Sequence, residues 1–196
     1  DCFIKSGMAK NILVVGSDSM SRIVDYSDRG TCILFGDGAG AVILQASDES
    51  GILGNEIHAD GSYNSILTCD GHLYNGVIKG NPYVYMDGQA VFKFAVRSLT
   101  AVSKSLAKKV DVDLTQIDWV VPHQANLRIL ESTAKMLGCS MDKVVTTVDK
   151  HGNTSAASVP LALDTAVRDG RIKSGDLVLL QGVGAGFSWG ASLIRF

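Results

Sequence analysis

The chain has 196 residues, 46% of them hydrophobic and 19% charged, which excludes global disorder and leaves enough apolar material for a sizeable core. A formal net charge of −2 gives no general case for nucleic acid or an anionic membrane as partner, and no apolar run approaches the ~20 residues a membrane helix needs. Cys2, Cys32, Cys69 and Cys139 are widely spaced, with neither a CxxC pair nor zinc-ligand spacing, as in the reduced thiols of a cytosolic protein.

Asp1 to Lys10 reads as the end of a helix already under way, so the chain is expected to be part of a longer polypeptide. Ile12 to Val15 is a compact apolar run with a polar exit at Gly16-Ser17-Asp18, the pattern of a buried strand. Ser21 to Gly30 is polar and loop-like. Thr31 to Phe35 and Ala41 to Leu44 are strand-like, and the glycines from Gly36 to Gly40 between them allow a tight reversal or a close approach by another backbone. Ser47 to Pro82 is irregular, with a short strand near Ile52 to His58 and a surface excursion after it.

From about Gly88 the period changes. Val91, Phe94, Ala95, Val102 and Leu106 recur at helical spacing, with Lys93, Arg97, Lys104 and Lys108 on the other faces. Trp119 to Val121 predicts a strand that Pro122 stops, because proline has no amide hydrogen for the ladder. Asn126 is placed to cap a helix from Leu127 to Leu137, which Gly138 closes. Val144 to Val148 is β-branched and predicts a strand. Ser155 to Asp169 predicts a helix in which Pro160 marks the first turn or a kink. Leu177 to Leu180, a glycine loop from Gly182 to Gly186, and a strand from Ala191 to Phe196 complete an alternating α/β layered pattern.

Three glycine patterns carry no chemistry. Gly36-x-Gly38-x-x-Ala41 fits a relaxed dinucleotide fingerprint, but strand rather than helix follows it, so a turn is the reading. Gly186-Phe187-Ser188-Trp189-Gly190 matches a nucleophile elbow, yet no His, Asp or Glu follows Gly190. Gly182-x-Gly184-x-Gly186 lacks the Lys-Ser/Thr of a phosphate loop.

Two places do carry chemistry. His123 falls where a strand gives way to a helix, a usual site for function in α/β proteins. Taken singly, such a histidine is more often a hydrogen-bonded structural group. Lys150-His151-Gly152-Asn153-Thr154-Ser155-Ala156-Ala157-Ser158 lies at a second strand-to-helix junction. Asn153 and Ser155 are turn and cap residues on one reading. On the other, Asn153 offers an amide donor beside His123, since parallel strands bring both junctions to one sheet edge. A neutral imidazole and an amide aimed at one oxygen would stabilise a developing enolate.

Val121-Pro122-His123-Gln124-Ala125-Asn126, His151 to Ser158 and Gly184-Ala185-Gly186-Phe187-Ser188-Trp189-Gly190, with Asp28-Arg29-Gly30-Thr31 and Phe35 to Ala41, resemble β-ketoacyl-acyl-carrier-protein synthase III. That condensing enzyme starts type II fatty-acid synthesis. The resemblance covers essentially the whole chain. Elongating condensing enzymes use two histidines, thiolases carry a late second cysteine, and chalcone-synthase-like enzymes show Gly-Phe-Gly-Pro-Gly in the late loop; this chain has none of these.

The resemblance implies a thiolase-like layered αβαβα fold, with residues 1–50 ending the N-terminal half and residues 51–196 forming the C-terminal half. It implies decarboxylative condensation of an acyl-CoA, expected to be acetyl-CoA, with malonyl-acyl-carrier protein. His123 and Asn153 would be catalytic, with the amide near Ala185 serving the oxyanion hole. Arg29, Met86, Gly88 and Asn126 would bind acyl-CoA and its pantetheine, although Arg29 is equally an exposed loop arginine by spacing. Lys93, Arg128 and Lys135 would dock the acidic carrier protein; each alone is also an ordinary solvated helix residue. The complete enzyme would be a cytoplasmic homodimer without metal or redox cofactor. The nucleophilic cysteine is expected upstream, since none of the four present resembles an activated thiolate, so the chain alone would be inactive. The alternatives are a condensing enzyme of polyketide or quinolone type, and a non-catalytic thiolase-fold half that binds acyl-CoA or a partner chain.

Overall fold

A computed structural model describes residues 1–49 and 51–196. Ser50, where the sequence divides its two halves, lies outside the described residues. After a one-turn helix, α1 (Cys2–Lys5), strand β1 (Asn11–Asp18) pairs antiparallel with β2 (Gly38–Gln45), from Asn11 opposite Gln45 to Asp18 opposite Gly38. Strand β3 (Ile52–Ala59) belongs to a different sheet. The excursion that follows holds four short strands: β4 (Leu67–Thr68) pairs with β7 (Tyr85–Met86), and β5 (His72–Tyr74) pairs with β6 (Val77–Lys79). Asn75 and Gly76 turn the β5–β6 hairpin with φ of 48° and 77°, the sign that a two-residue hairpin turn of the right twist demands.

Helix α2 (Gly88–Lys109) starts where the Asp87 carboxylate accepts from the amides of Gln89 and Ala90. Strand β8 (Trp119–Pro122), helices α3 (Leu127–Leu137), α4 (Val148–His151) and α5 (Ser158–Arg168), and strands β9 (Leu177–Gly184) and β10 (Ser188–Arg195) follow. The main sheet has the order β3-β10-β9-β8, in which β8 and β9 are parallel and the other pairs antiparallel. The parallel pair needs a long crossover, and α3, α4 and α5 provide it.

The β8–β9 part of this sheet is covered on both faces, which explains why those two strands read as unbroken apolar runs rather than alternating ones. Successive side chains of β8 point to opposite sides. Val120 joins Leu106 of α2 and Leu130 of α3, whereas Val121 joins Ala162 and Ala166 of α5. Leu177 and Leu179 of β9 take the α2–α3 side, and Val178 takes the α5 side. Fully burying each such side chain contributes about 1.5–3 kcal/mol, so two-sided burial is the main support for the strand ends.

Several expectations need correction. Thr31 to Phe35 is a run of turns: the Asp28 carboxylate and carbonyl collect the amides and hydroxyl of Gly30, Thr31 and Cys32, and the Leu34 amide donates to the Thr31 carbonyl. Phe35 makes only an isolated parallel bridge to Asn153. Gly38 to Gly40 is not a reversal but the start of β2, and Gly182 to Gly184 belongs to β9. Val144 to Val148 has a single bridge, Val144 to Val120, before α4 begins at Val148. The expected helix from Ser155 is a short 3-10 turn, Ser155–Ala157, before α5, with Pro160 in the first turn of α5.

The close-approach reading of the glycines holds. A Cβ on Gly36 would collide with the carbonyl oxygen of His151, and one on Gly16 with that of Ala156. The β1–β2 pair thus lies directly against the segment that leads into α5. Gly36→Ala should lower stability by about 1–3 kcal/mol, the usual cost of overpacking, as read from the urea unfolding midpoint. An unchanged midpoint would show that this contact is loose.

Candidate active site

Pro122 closes β8 opposite Gln181, and the next amide, that of His123, donates to the Gln181 carbonyl at 2.8 Å. His123 is therefore held at the end of the parallel pair, 9% exposed. The chain then turns sharply, with the Ala125 amide on the His123 carbonyl at 2.9 Å, and Asn126 caps α3 by accepting from the Ile129 amide at 3.0 Å. On the ring, Nδ1 meets the Ser158 hydroxyl at 2.6 Å. Burial pushes the His123 pKa down to about 4, against a weaker opposing pull from the Ser155 backbone. The imidazole is neutral near pH 7.

Gln124, next to it, is buried and fully engaged. Its Nε2 donates to the carbonyls of Pro122 at 2.8 Å and Val145 at 3.0 Å. Its Oε1 accepts from the amides of Thr147 at 2.8 Å and Val148 at 3.2 Å. The side chain thus takes the place of a ladder where Val144 to Val148 stops being a strand.

Asn153 is fixed by the turns of the Thr31 to Phe35 run. Its amide donates to the Leu34 carbonyl at 2.8 Å, and its carbonyl accepts from Gly36 at 2.9 Å. Ser155, in the left-handed region at φ 51°, turns its amide onto Asn153 Oδ1 at 3.0 Å. With the side-chain oxygen occupied, Nδ2 is the open end of Asn153, a donor. Asp18 of β1 accepts from the next amide, Ala156, at 3.0 Å. His123 and Asn153 are joined through the Ser155–Ser158 segment rather than as two strand ends at one sheet edge, because α4 and not a strand leads into Asn153.

A cleft of about 650 Å³ is lined by Ile33, Leu34, Asn126, Leu127, Lys150 and Arg171 among others; its lining includes neighbours of His123 and Asn153 in the chain, Ala125 and Gly152, but neither residue itself. A hollow of about 740 Å³ between β3 and the end of α2 shares none of these segments and has no part in the site.

The remaining expected residues are placed as follows. Arg29 is exposed in the turn after Asp28. Met86 is half-buried in β7, and Gly88, first in α2, lies with its Cα side toward the Met86 methyl, which would be 3.9 Å from an added Cβ. Ala185 is exposed in the β9–β10 connection. Lys93 on α2 and Arg128 and Lys135 on α3 are all exposed, on two helices packed together through Ala95, Val96, Leu99 and Ile129. None of these four basic residues, Arg29 included, forms an ion pair among the described residues. Cys2 and Cys69 are exposed, Cys32 is half-buried, and burial raises the Cys139 thiol pKa, opposite to the activation a nucleophile needs. Among the described residues no group of three or more His, Cys, Asp or Glu side chains is placed to hold a metal ion, and no helix is long and apolar enough to cross a membrane.

Sequence reasoning placed the Asn126 cap correctly and put His123 at the end of β8, but expected a strand rather than α4 before Asn153 and assigned no role to Gln124, Ser158 or Asp18. Only their place inside or beside the quoted motifs marked them; their partners are distant in sequence.

Residues 1–61 match the family model described as 3-oxoacyl-(acyl-carrier-protein) synthase III, and residues 107–196 match the model of that family's C-terminal part. The chain is 57% identical over 196 residues to the β-ketoacyl-acyl-carrier-protein synthase III of Laribacter hongkongensis, covering 100% of this chain and 61% of that protein. The crystal structure of the synthase III of Aquifex aeolicus matches with a TM-score of 0.94 at 44% identity, covering 100% of this chain and 61% of the other. That of Pseudomonas aeruginosa matches at 0.92 and 37%, again covering 100% and 61%. The fold is thus the thiolase-like α/β fold of these enzymes, and the chain spans about three-fifths of their length.

The depressed His123 pKa makes folding pH-dependent. Between about 6.5 and about 4 the unfolded chain binds a proton that the folded chain refuses, so His123 weakens stability as pH falls through that window, by roughly 3 kcal/mol at its foot. Urea unfolding of the wild type and His123→Gln at pH 7 and pH 5 checks this. The variant should lose part of the acid sensitivity; equal sensitivity in both would contradict a buried neutral imidazole.

Proposed function

Because the chain belongs to the 3-oxoacyl-acyl-carrier-protein synthase III family, we propose that it supplies the His/Asn part of a decarboxylative condensation site. The observation that carries this reading is the pairing of a buried neutral imidazole with an amide whose oxygen is already occupied, two uncharged donors tied to one short segment. In the proposed reaction an acyl group from a coenzyme A thioester, acetyl in the simplest case, rests on a cysteine. Malonyl-carrier protein then loses carbon dioxide. The electron pair of the broken carbon–carbon bond moves into the thioester as an enolate, and His123 and Asn153 donate to its oxygen. The enolate carbon attacks the acyl-cysteine carbonyl and the thiolate leaves. A charged imidazolium would give up its proton too readily to serve as a stable donor here; neutral donors suit an enolate that must still react.

The acyl-bearing cysteine is proposed to come from residues outside this chain. The raised Cys139 pKa supports that for Cys139. Leu13, Val15 and Ile43 are exposed on the β1–β2 pair, which fits packing against further residues of the same enzyme. Arg29, Met86, Gly88 and Asn126 are assigned to the acyl-CoA and its pantetheine, with the cleft at Asn126 as the approach. The Ala185 region is assigned to the oxyanion of the acyl-cysteine. No metal or redox cofactor enters the proposed steps. A cytoplasmic homodimer remains the reading for the complete enzyme.

Two measurements test it. The chain alone, given acetyl-CoA and malonyl-carrier protein, should form no acetoacetyl-carrier protein; robust product would refute an external nucleophile. Joined to the upstream portion of the Laribacter hongkongensis relative, it should condense, and His123→Ala or Asn153→Ala should each cost about 10²–10³ in kcat, the effect of removing one such donor. Full activity in either variant would remove that residue from the mechanism.

Lys93, Arg128 and Lys135 are proposed to dock the carrier protein. In the same chimera, Arg128→Glu should raise KM for malonyl-carrier protein roughly tenfold, about 1.4 kcal/mol, and leave KM for acyl-CoA unchanged. Equal change for both substrates would argue against docking.

A further inference from the structure

We propose that Ser158 is a positioning residue whose hydroxyl hydrogen is donated to Nδ1 of His123, so that the ring carries its own proton on Nε2. The assignment follows from accounting for one hydroxyl. Ser158 is 1% exposed, so its O–H must find a partner inside the protein. Its Oγ has two partners among the described residues: Nδ1 of His123 at 2.6 Å and the backbone amide of Gln124 at 3.3 Å. An amide can only donate, so Gln124 occupies an acceptor position of Oγ and gives the hydroxyl hydrogen nowhere to go. Nδ1 is then the acceptor that remains. A proton on Nδ1 would place a second donor on Oγ and leave a buried hydroxyl hydrogen unpaired, which is costly.

One further backbone group faces the ring. The Ser155 backbone interacts with the ring in the sense that favours its protonated form, and a proton drawn to it on Nδ1 would reverse the Ser158 bond. The hydroxyl accounting favours Nε2. The consequence for chemistry rests on the functional reading above: a donor on Nε2 is what an enolate oxygen needs, and a bare Nε2 would repel it. Ser158 touches neither substrate nor nucleophile; it acts through the tautomer. Its place in the first turn of α5, two residues before Pro160, makes the helix start a rigid mount for that hydroxyl.

The tautomer is read directly by long-range proton–nitrogen NMR of the ¹⁵N-labelled chain at pH 7, with His123→Gln used to assign the ring. The expected wild-type spectrum has Nδ1 in the unprotonated range and Nε2 in the protonated range. Ser158→Ala should move the two nitrogen shifts toward each other as the Nδ1–H form becomes populated, and Ser158→Thr, which keeps the hydroxyl, should restore the separation. Unchanged Ala125 and Asn153 amide shifts would certify the fold of each variant. A wild-type ring protonated on Nδ1 overturns the proposal, as does a folded Ser158→Ala with an unchanged tautomer; the first outcome needs no variant to fold. In the chimera with the upstream portion, Ser158→Ala should lower kcat roughly 10- to 100-fold, as loss of a supporting hydrogen bond does, with KM for acyl-CoA unchanged. A chimera that never condenses although His123 carries its proton on Nε2 would sink the condensation reading and leave the Ser158 assignment standing.

Discussion

The Gln124 side chain holds together the parts on which the site depends. Its amide bonds to the end of β8 at Pro122 and to the 145–148 stretch that leads into α4, so two chain segments meet on one buried group. Each bond alone contributes only about 1 kcal/mol net, but a buried amide with all partners present admits one arrangement, whereas a partly satisfied one costs about 1–3 kcal/mol per orphan. That asymmetry fixes the path from β8 through α4 to Gly152, and with it the relation between His123 and Asn153.

Around this clamp the fold supplies two kinds of rigidity. Two-sided burial of β8 and β9 anchors the strand ends from which His123 emerges. Close backbone approach anchors Asn153 from the other side: glycines at positions 16 and 36 let β1 and the end of the turn region lie against Ala156 and His151. The polar groups of the site therefore sit between an apolar sheet and a backbone-to-backbone contact, and neither leaves room for them to relax.

The electrostatics follow from that enclosure. His123 loses its charge chiefly because burial penalises the imidazolium, and among the described residues no carboxylate is paired with it to restore the charge. Asn153 brings a donor that carries no charge at any pH. A site built from neutral donors can stabilise developing negative charge without trapping it, in keeping with a family of condensing enzymes of which this chain spans about three-fifths.

Much of this was legible in the sequence because the signals were local. The helical spacing of Phe94, Ala95, Val102 and Leu106, the Asn126 cap, the Gly138 stop and the Pro122-His123 strand end each depend on a few neighbouring residues, and each was found where expected. The errors fell where side chains compete with the ladder. Thr31 to Phe35 has strand-forming residues, yet Asp28 takes the amides of Thr31 and Cys32; Val144 to Val148 is β-branched, yet Gln124 takes part of its backbone. By itself the sequence determined the layered α/β class, the family, and the strand end at His123, since periodicity and motif spacing act over short stretches. Only the tertiary structure decided which buried polar groups meet across dozens of residues — Gln124 with Val145 and Thr147, Ser158 with His123 — because a hydrogen bond is set by distance in space, to which sequence separation gives no guide.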